Sequence, residues 1–153
     1  MKQILENIIG SYKHFPYTWK HYLAFLRVEK KLLGRYKYKF HDWDKLVLFI
    51  FCPFLGERRI NQLHQKLCSH HPTYTTGRNW EKHFKSPKNI DFLQAVIDWE
   101  CARYTKPDKP LNAYDTLYKY YTNMEHEILP ILKEFEIDKP NLPMEKDVLE
   151  YAN

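Results

Sequence analysis

The sequence predicts an all-α fold, a single-domain bundle of about five main helices. Three observations carry this. Between the proline and glycine marks, apolar residues recur at threes and fours, the helical spacing. No segment reads as a hairpin or a βαβ unit. With 44% hydrophobic and 16% aromatic residues, a chain of 153 residues can form one core without cross-links.

The first strong helix is expected over 18–33, with Tyr22, Leu23, Phe25, Leu26, Leu32 and Leu33 on the periodic positions and Gly34 as a natural stop. The second, over 42–52, is apolar nearly all round from Leu46 to Phe51, which predicts a central, buried helix. A buried strand is the competing reading, but no strand-like partner accompanies it. The third, over 57–69, carries Ile60, Leu63 and Leu67. Residues 72–88 lack periodicity and read as a long loop with a short helix near Trp80. The fourth, over 89–104, opens on Asn89 and has Ile90, Leu93, Val96 and Ile97 on one stripe. The fifth, over 114–135, is tyrosine-rich and expected to bend near Pro130. These elements give an N-terminal extension (1–17), a helical domain (18–137) and a C-terminal tail (138–153).

Net charge is +5 and the basic residues are scattered, which suits anionic substrates or weak nucleic-acid contact, or simply a solvated surface. Cys52, Cys68 and Cys101 are odd in number and form no CxxC pair, so free thiols in a reducing compartment are expected. The opening residues do not resemble a signal peptide. The longest apolar run, Leu46 to Leu55, contains Pro53 and is too short for a bilayer. The expectation is a cytoplasmic protein without membrane contact.

Eight histidines are present. In "KFHDWDKL", His41 and Asp42 stand together at a helix entrance. Imidazole nitrogen with carboxylate oxygen suits a transition metal such as Mn, Fe, Co, Ni or Zn. The plainer alternative is that Asp42 caps the helix and His41 lies at the surface. Asp44 reads as a solvent-facing acid of the first turn. His21, beside Tyr22 and Leu23, taken alone is a core-edge side chain. In "LHQKLCSHHP", His64 and His71 are close to two helical turns apart and so share one helix face, with Pro72 ending the helix. A metal or phosphate site competes there with a surface cluster. Asp98 follows Val96 and Ile97, where a carboxylate needs a partner such as Arg103, or a metal.

In the order His21, His41-Asp42, His64, His70-His71, Asp98, the pattern resembles the HD superfamily of metal-dependent phosphohydrolases. It is most similar to a small HD-like family of phage and bacterial proteins, whose marks are an upstream histidine, HDxxK, H-x5-HH and an xxDW helix. Here these are His21, "HDWDK", "HQKLCSHH" and "VIDWE", and the likeness covers about residues 18–135. The resemblance implies that His21, His41, Asp42 and Asp98 bind a first divalent ion. It implies a second site made by His64 with His70 or His71, with Asp42 bridging. The cofactor would be one or two ions of Mn, Fe, Co, Ni, Zn or Mg.

The activity so implied is hydrolysis of a phosphate ester in a nucleotide-like substrate by a metal-activated water. Lys45, with Arg78 and Lys82 of the long loop, would bind the phosphate and offset developing charge. His70, or His71 beside it, would pass a proton to the leaving oxygen. Asp42, Lys45 and His70 are the expected catalytic residues. Trp43, Trp80, Trp99 and the Tyr114/Tyr118/Tyr121 series either stack on a base or, more plainly, pack in the core. Two other functions fit the same pattern: a di-iron oxygenase of HD type, and a non-catalytic helical factor binding a nucleotide or a protein. HD-like domains often pair through helices, so an oligomer is allowed, although no heptad seam requires one.

Overall fold

The computed structural model describes residues 1–71, 90–106 and 110–140, and among the described residues it contains helices and no strand. The all-α class is therefore as the sequence predicts. The α-helices are α1 (Lys2–Leu33), α2 (Trp43–Phe51), α3 (Glu57–Leu67), α4 (Phe92–Thr105), α5 (Ala113–Tyr120) and α6 (Glu125–Glu134), with 3-10 turns at Pro53–Leu55 and Thr122–Met124. Among the described residues no helix is long and apolar enough to cross a membrane. The expected short helix near Trp80 and the tail beyond residue 140 lie outside the described residues. The chain divides into two compact units, residues 1–19 with 40–91, and residues 20–39 with 92–153.

In the first unit, α1 begins at Lys2 instead of residue 18 and runs through Pro16. Its N-terminal half is held by polar anchors at helical spacing, to which apolar periodicity is blind. Asn7 Nδ2 donates to the Phe54 carbonyl at 2.9 Å, and Ser11 Oγ to the Pro53 carbonyl at 2.9 Å. His14 pairs with Glu57 at 3.2 Å and rests against the Phe49 ring. Pro16 removes one helical N–H, which a 32-residue helix fixed at both sides of the proline tolerates. The second helix is not buried all round, contrary to expectation. Leu46 and Phe49 are buried, whereas Trp43, Val47, Ile50 and Phe51 are exposed. An all-round apolar run does not say which side is covered. Here α2 packs against α3, where Ile60 is fully buried.

In the second unit, Ala24, Phe25 and Val28 of α1 pack with Ile97, Cys101 and Tyr104 of α4, flanked by Leu32, Leu33, Tyr38 and Leu93. Gly34 stops α1 with φ 67, its N–H donating to the Lys30 carbonyl at 3.0 Å. Glu29 then accepts the backbone N–H groups of Lys37 and Tyr38 and ties the following turn to the helix. Along α4, Glu100 is buried, pairs with Arg103 at 3.1 Å and accepts the Ala113 N–H at 3.1 Å. Burial raises its pKa even so. Asn112 caps α5 by accepting the Asp115 N–H at 2.8 Å. The expected fifth helix is two helices. It breaks at Tyr121–Met124, not at Pro130, which lies inside α6. Thr122 and Asn123 are weak helix formers whose side chains compete for backbone groups, whereas Pro130 forfeits a single N–H.

Candidate metal centre

The first unit gathers His41, Asp42, Lys45, His64, His70 and His71. Asp42 stands just before α2 in a left-handed conformation, φ 58 and ψ 10, and its side chain makes no cap bond. Capping is therefore not its role; its carboxylate is 1% exposed. Around it, His64 Nε2 lies 3.0 Å from Oδ1, His41 Nε2 at 3.5 Å and His70 Nε2 at 3.7 Å. Lys45, one turn on, pairs with Oδ2 and keeps 16% of its side chain exposed.

His64 and His71 meet through their Nε2 atoms, 2.7 Å apart. The expected shared helix face is not what joins them. The third helix ends at Leu67, short of residue 69, and Cys68 turns extended, with φ −102 and ψ 122. The His71 N–H then donates to the Cys68 carbonyl at 3.2 Å, and this turn folds both histidines back. Cys, Ser and His are weak helix formers, which is why the helix does not continue to the histidine pair. The rings lie tilted against one another in a chain, His41 and His70 with centroids 4.7 Å apart and His70 and His71 with centroids 4.2 Å apart.

Sequence reasoning missed two neighbours of His64. Asp44 is not a plain solvent-facing acid: its carboxylate meets His64 Nδ1 at 2.7 and 2.8 Å. Cys68 Sγ lies 3.3 Å from the same nitrogen. The position of Cys68 four residues after His64 on a helical pattern is a signal for the second contact; nothing local signals the first.

The charges respond to this crowding. Burial pushes the Asp42 carboxyl up, but His41 and Lys45 beside it, with the His64 and His70 imidazoles turned toward it, hold it well below the usual range. Burial likewise pushes Asp44 up, and its bond to His64 brings it below its ordinary value. For His64 burial pulls the imidazole down, but the bonds to Asp42, Asp44 and Cys68 push it up to about 11.

In the second unit, His21 Nε2 meets Asp98 Oδ1 at 2.8 Å, and His21 Nδ1 lies 3.3 Å from Thr105 Oγ1. Arg103, the alternative partner expected for Asp98, pairs with Glu100. Cys101 Sγ approaches both ring nitrogens of His21 at 3.7 Å. Cys101 and Thr105 follow Asp98 at helical spacing, which is the sequence signal for this trio. Of the aromatics considered as base platforms, Trp99 is buried and stacks on Tyr121 with centroids 4.7 Å apart, so it is core. Arg78, Lys82 and Trp80 lie outside the described residues.

Donor chemistry tests whether these residues fit a metal. One donor atom each from Asp42, His64, His70 and His71 lies within 4.8 Å of every other, and three of the four residues are buried. His70 Nε2 is buried and makes no hydrogen bond. Three imidazoles and a carboxylate form a nitrogen–oxygen set of the kind divalent transition metals take, so the residues fit. A second group, His21, Asp98 and Cys101, offers three donors in the second unit. The three cysteines are free thiols. No protein-family model, curated protein or solved structure matches this chain.

Proposed function

We propose that the first unit holds a divalent transition metal and that the protein is a metal-dependent phosphohydrolase acting on a nucleotide or a related phosphate ester. The observation that supports this is the convergence of Asp42 with His64, His70 and His71 in buried space. Lys45 pairs with one oxygen of that carboxylate, and the imidazoles crowd the other, an arrangement that suits a cation shared among them. The resemblance to HD-type phosphohydrolases supplies the reaction class.

When bound, a divalent ion supplies a nucleophilic water near neutral pH and polarises a phosphoryl oxygen. Asp42 and His64, with one or both of His70 and His71, would hold it in this reading. Lys45 neutralises phosphate charge. Its ammonium is paired with Asp42 yet partly exposed, so it can pass from the carboxylate to an incoming anion. Of His70 and His71, the one left off the ion would pass a proton to the leaving oxygen. Cytoplasmic placement and a small phosphorylated partner belong to the same proposal.

The test is elemental analysis of protein purified without chelators, beside Asp42→Ala, followed by a panel of nucleoside phosphates and simple phosphate esters. The expected result is metal in the wild-type protein, its loss from the variant, and phosphate release that depends on metal. Equal metal content in the two proteins would falsify the site. Bound iron with dioxygen consumption and no phosphate release would instead favour the oxygenase reading.

A further inference from the structure

We infer that Asp44 is the positioning residue of this centre, holding the Nδ1–H of His64 so that Nε2 of the same ring is presented to the metal. The inference rests on the metal reading above. Both Asp44 oxygens face Nδ1, at 2.7 and 2.8 Å. On the opposite edge of the ring, Nε2 faces Asp42 Oδ1 at 3.0 Å and His71 Nε2 at 2.7 Å.

An ionised carboxylate only accepts hydrogen bonds, so the ring nitrogen turned to Asp44 carries a hydrogen. The lone pair available to a metal is then the one on Nε2. A ligating histidine held from behind by a carboxylate keeps one tautomer and one orientation, and is more basic toward the ion. Cys68 Sγ, 3.3 Å from Nδ1, flanks that edge of the ring. A thiol is a weak acceptor and does not displace the carboxylate there.

The bond also sets Asp44 apart from an ordinary first-turn acid. Asp44 lies in the first turn of α2 and keeps 31% of its side chain exposed. A surface acid at that place would turn to solvent and act only on the helix dipole. Here both oxygens turn onto a residue of α3 that is 1% exposed.

Zinc is the probe, because it is diamagnetic and accepts this donor set. Its affinity is measured by competition with a chromogenic chelator for wild type, Asp42→Ala, Asp44→Ala and Asp44→Asn. The side-chain nitrogens of His64 are read by proton–nitrogen NMR in the zinc-loaded protein. Asp44→Ala is expected to weaken zinc binding by about 10–100-fold. Asp44→Asn, which keeps an acceptor oxygen but not the charge, is expected to weaken it less. Wild type should show an exchange-protected Nδ1–H on His64 that is lost in Asp44→Ala, a change that a merely structural contact would not produce at that atom. If wild type binds zinc, Asp42→Ala does not, and the Asp44 variants match wild type, the role of Asp44 is overturned while the metal site stands. An Nε2–H on His64 in the zinc-loaded protein overturns it as well. If wild type binds no zinc, the metal reading falls and this inference with it. Should Asp44→Ala fail to fold, Asp44→Asn decides by the same readouts, an affinity equal to wild type overturning the role.

Discussion

Asp42 combines two features seldom found together at a helix entrance. It is a non-glycine residue at φ 58, and its carboxylate is almost fully enclosed. Aspartate tolerates the left-handed region better than most residues, yet the conformation still costs on the order of 1 kcal/mol, and such outliers cluster at functional sites. The consequence here is geometric: the carboxylate meets imidazoles and leaves the helix N–H groups uncapped by its side chain. The titration of these groups yields a test that needs no metal. The imidazole of His64 has its pKa raised from 6.5 to about 11, so the folded state holds that proton more tightly than the unfolded chain. The stabilisation is complete below 6.5 and disappears as pH rises toward about 11. For Asp42 and Asp44 the pKa is lowered from 3.8, so their contribution is present above that value and is lost as pH falls through the folded one. Metal-free protein should therefore melt highest in mildly acidic buffer, and its Tm should fall between about pH 7 and about pH 10, with His64→Gln flattening that limb. A wild-type Tm that stays level across this range would contradict the assignment.

At the level of elements, the entrance to α3 is set by one glycine. Gly56 has φ 78 and ψ 155, and a Cβ there would come within 2.9 Å of the Asn7 side chain. That side chain is the one that anchors α1 to the Phe54 carbonyl. Gly56→Ala therefore meets a backbone penalty and displaces a hydrogen bond together, and we expect a loss of about 1–3 kcal/mol. Denaturant unfolding with an unchanged slope is the measurement; a loss within experimental scatter would show that α1 and α3 adjust freely. The same unit shows how burial divides a helix. In α2, Leu46 and Phe49 are buried while Val47 and Ile50 remain exposed, although all four residues are apolar.

For the whole molecule, metal and stability are linked by mass action. A ligand that binds only the folded chain stabilises it by about 2.7 kcal/mol at a hundred times its Kd. Zinc should accordingly raise the Tm of wild-type protein in a concentration-dependent way, and EDTA should reverse the shift. Asp42→Ala should respond to neither. Thermal melts across a zinc series check this, and identical shifts in wild type and variant would place the metal elsewhere. The net charge of +5 comes from scattered basic residues and so creates a general positive field.

The sequence by itself determined the all-α class, the stop at Gly34 and the residue types of the candidate centre. Helical periodicity and a glycine free to adopt positive φ are local signals, readable without tertiary contacts. His41, Asp42, His64, His70 and His71 could be listed as one constellation because they recur in an ordered pattern. Only the tertiary structure decided how they meet. The helix expected to align His64 with His71 ends first, and a turn closes the gap between them. The extension of α1 to Lys2 was hidden because Asn7, Ser11 and His14 fasten it with polar bonds, which leave no hydrophobic period. Asp44 was unreadable for a related reason. Its partner is twenty residues away on another helix, and the direction in which a carboxylate turns is set by what packs across from it.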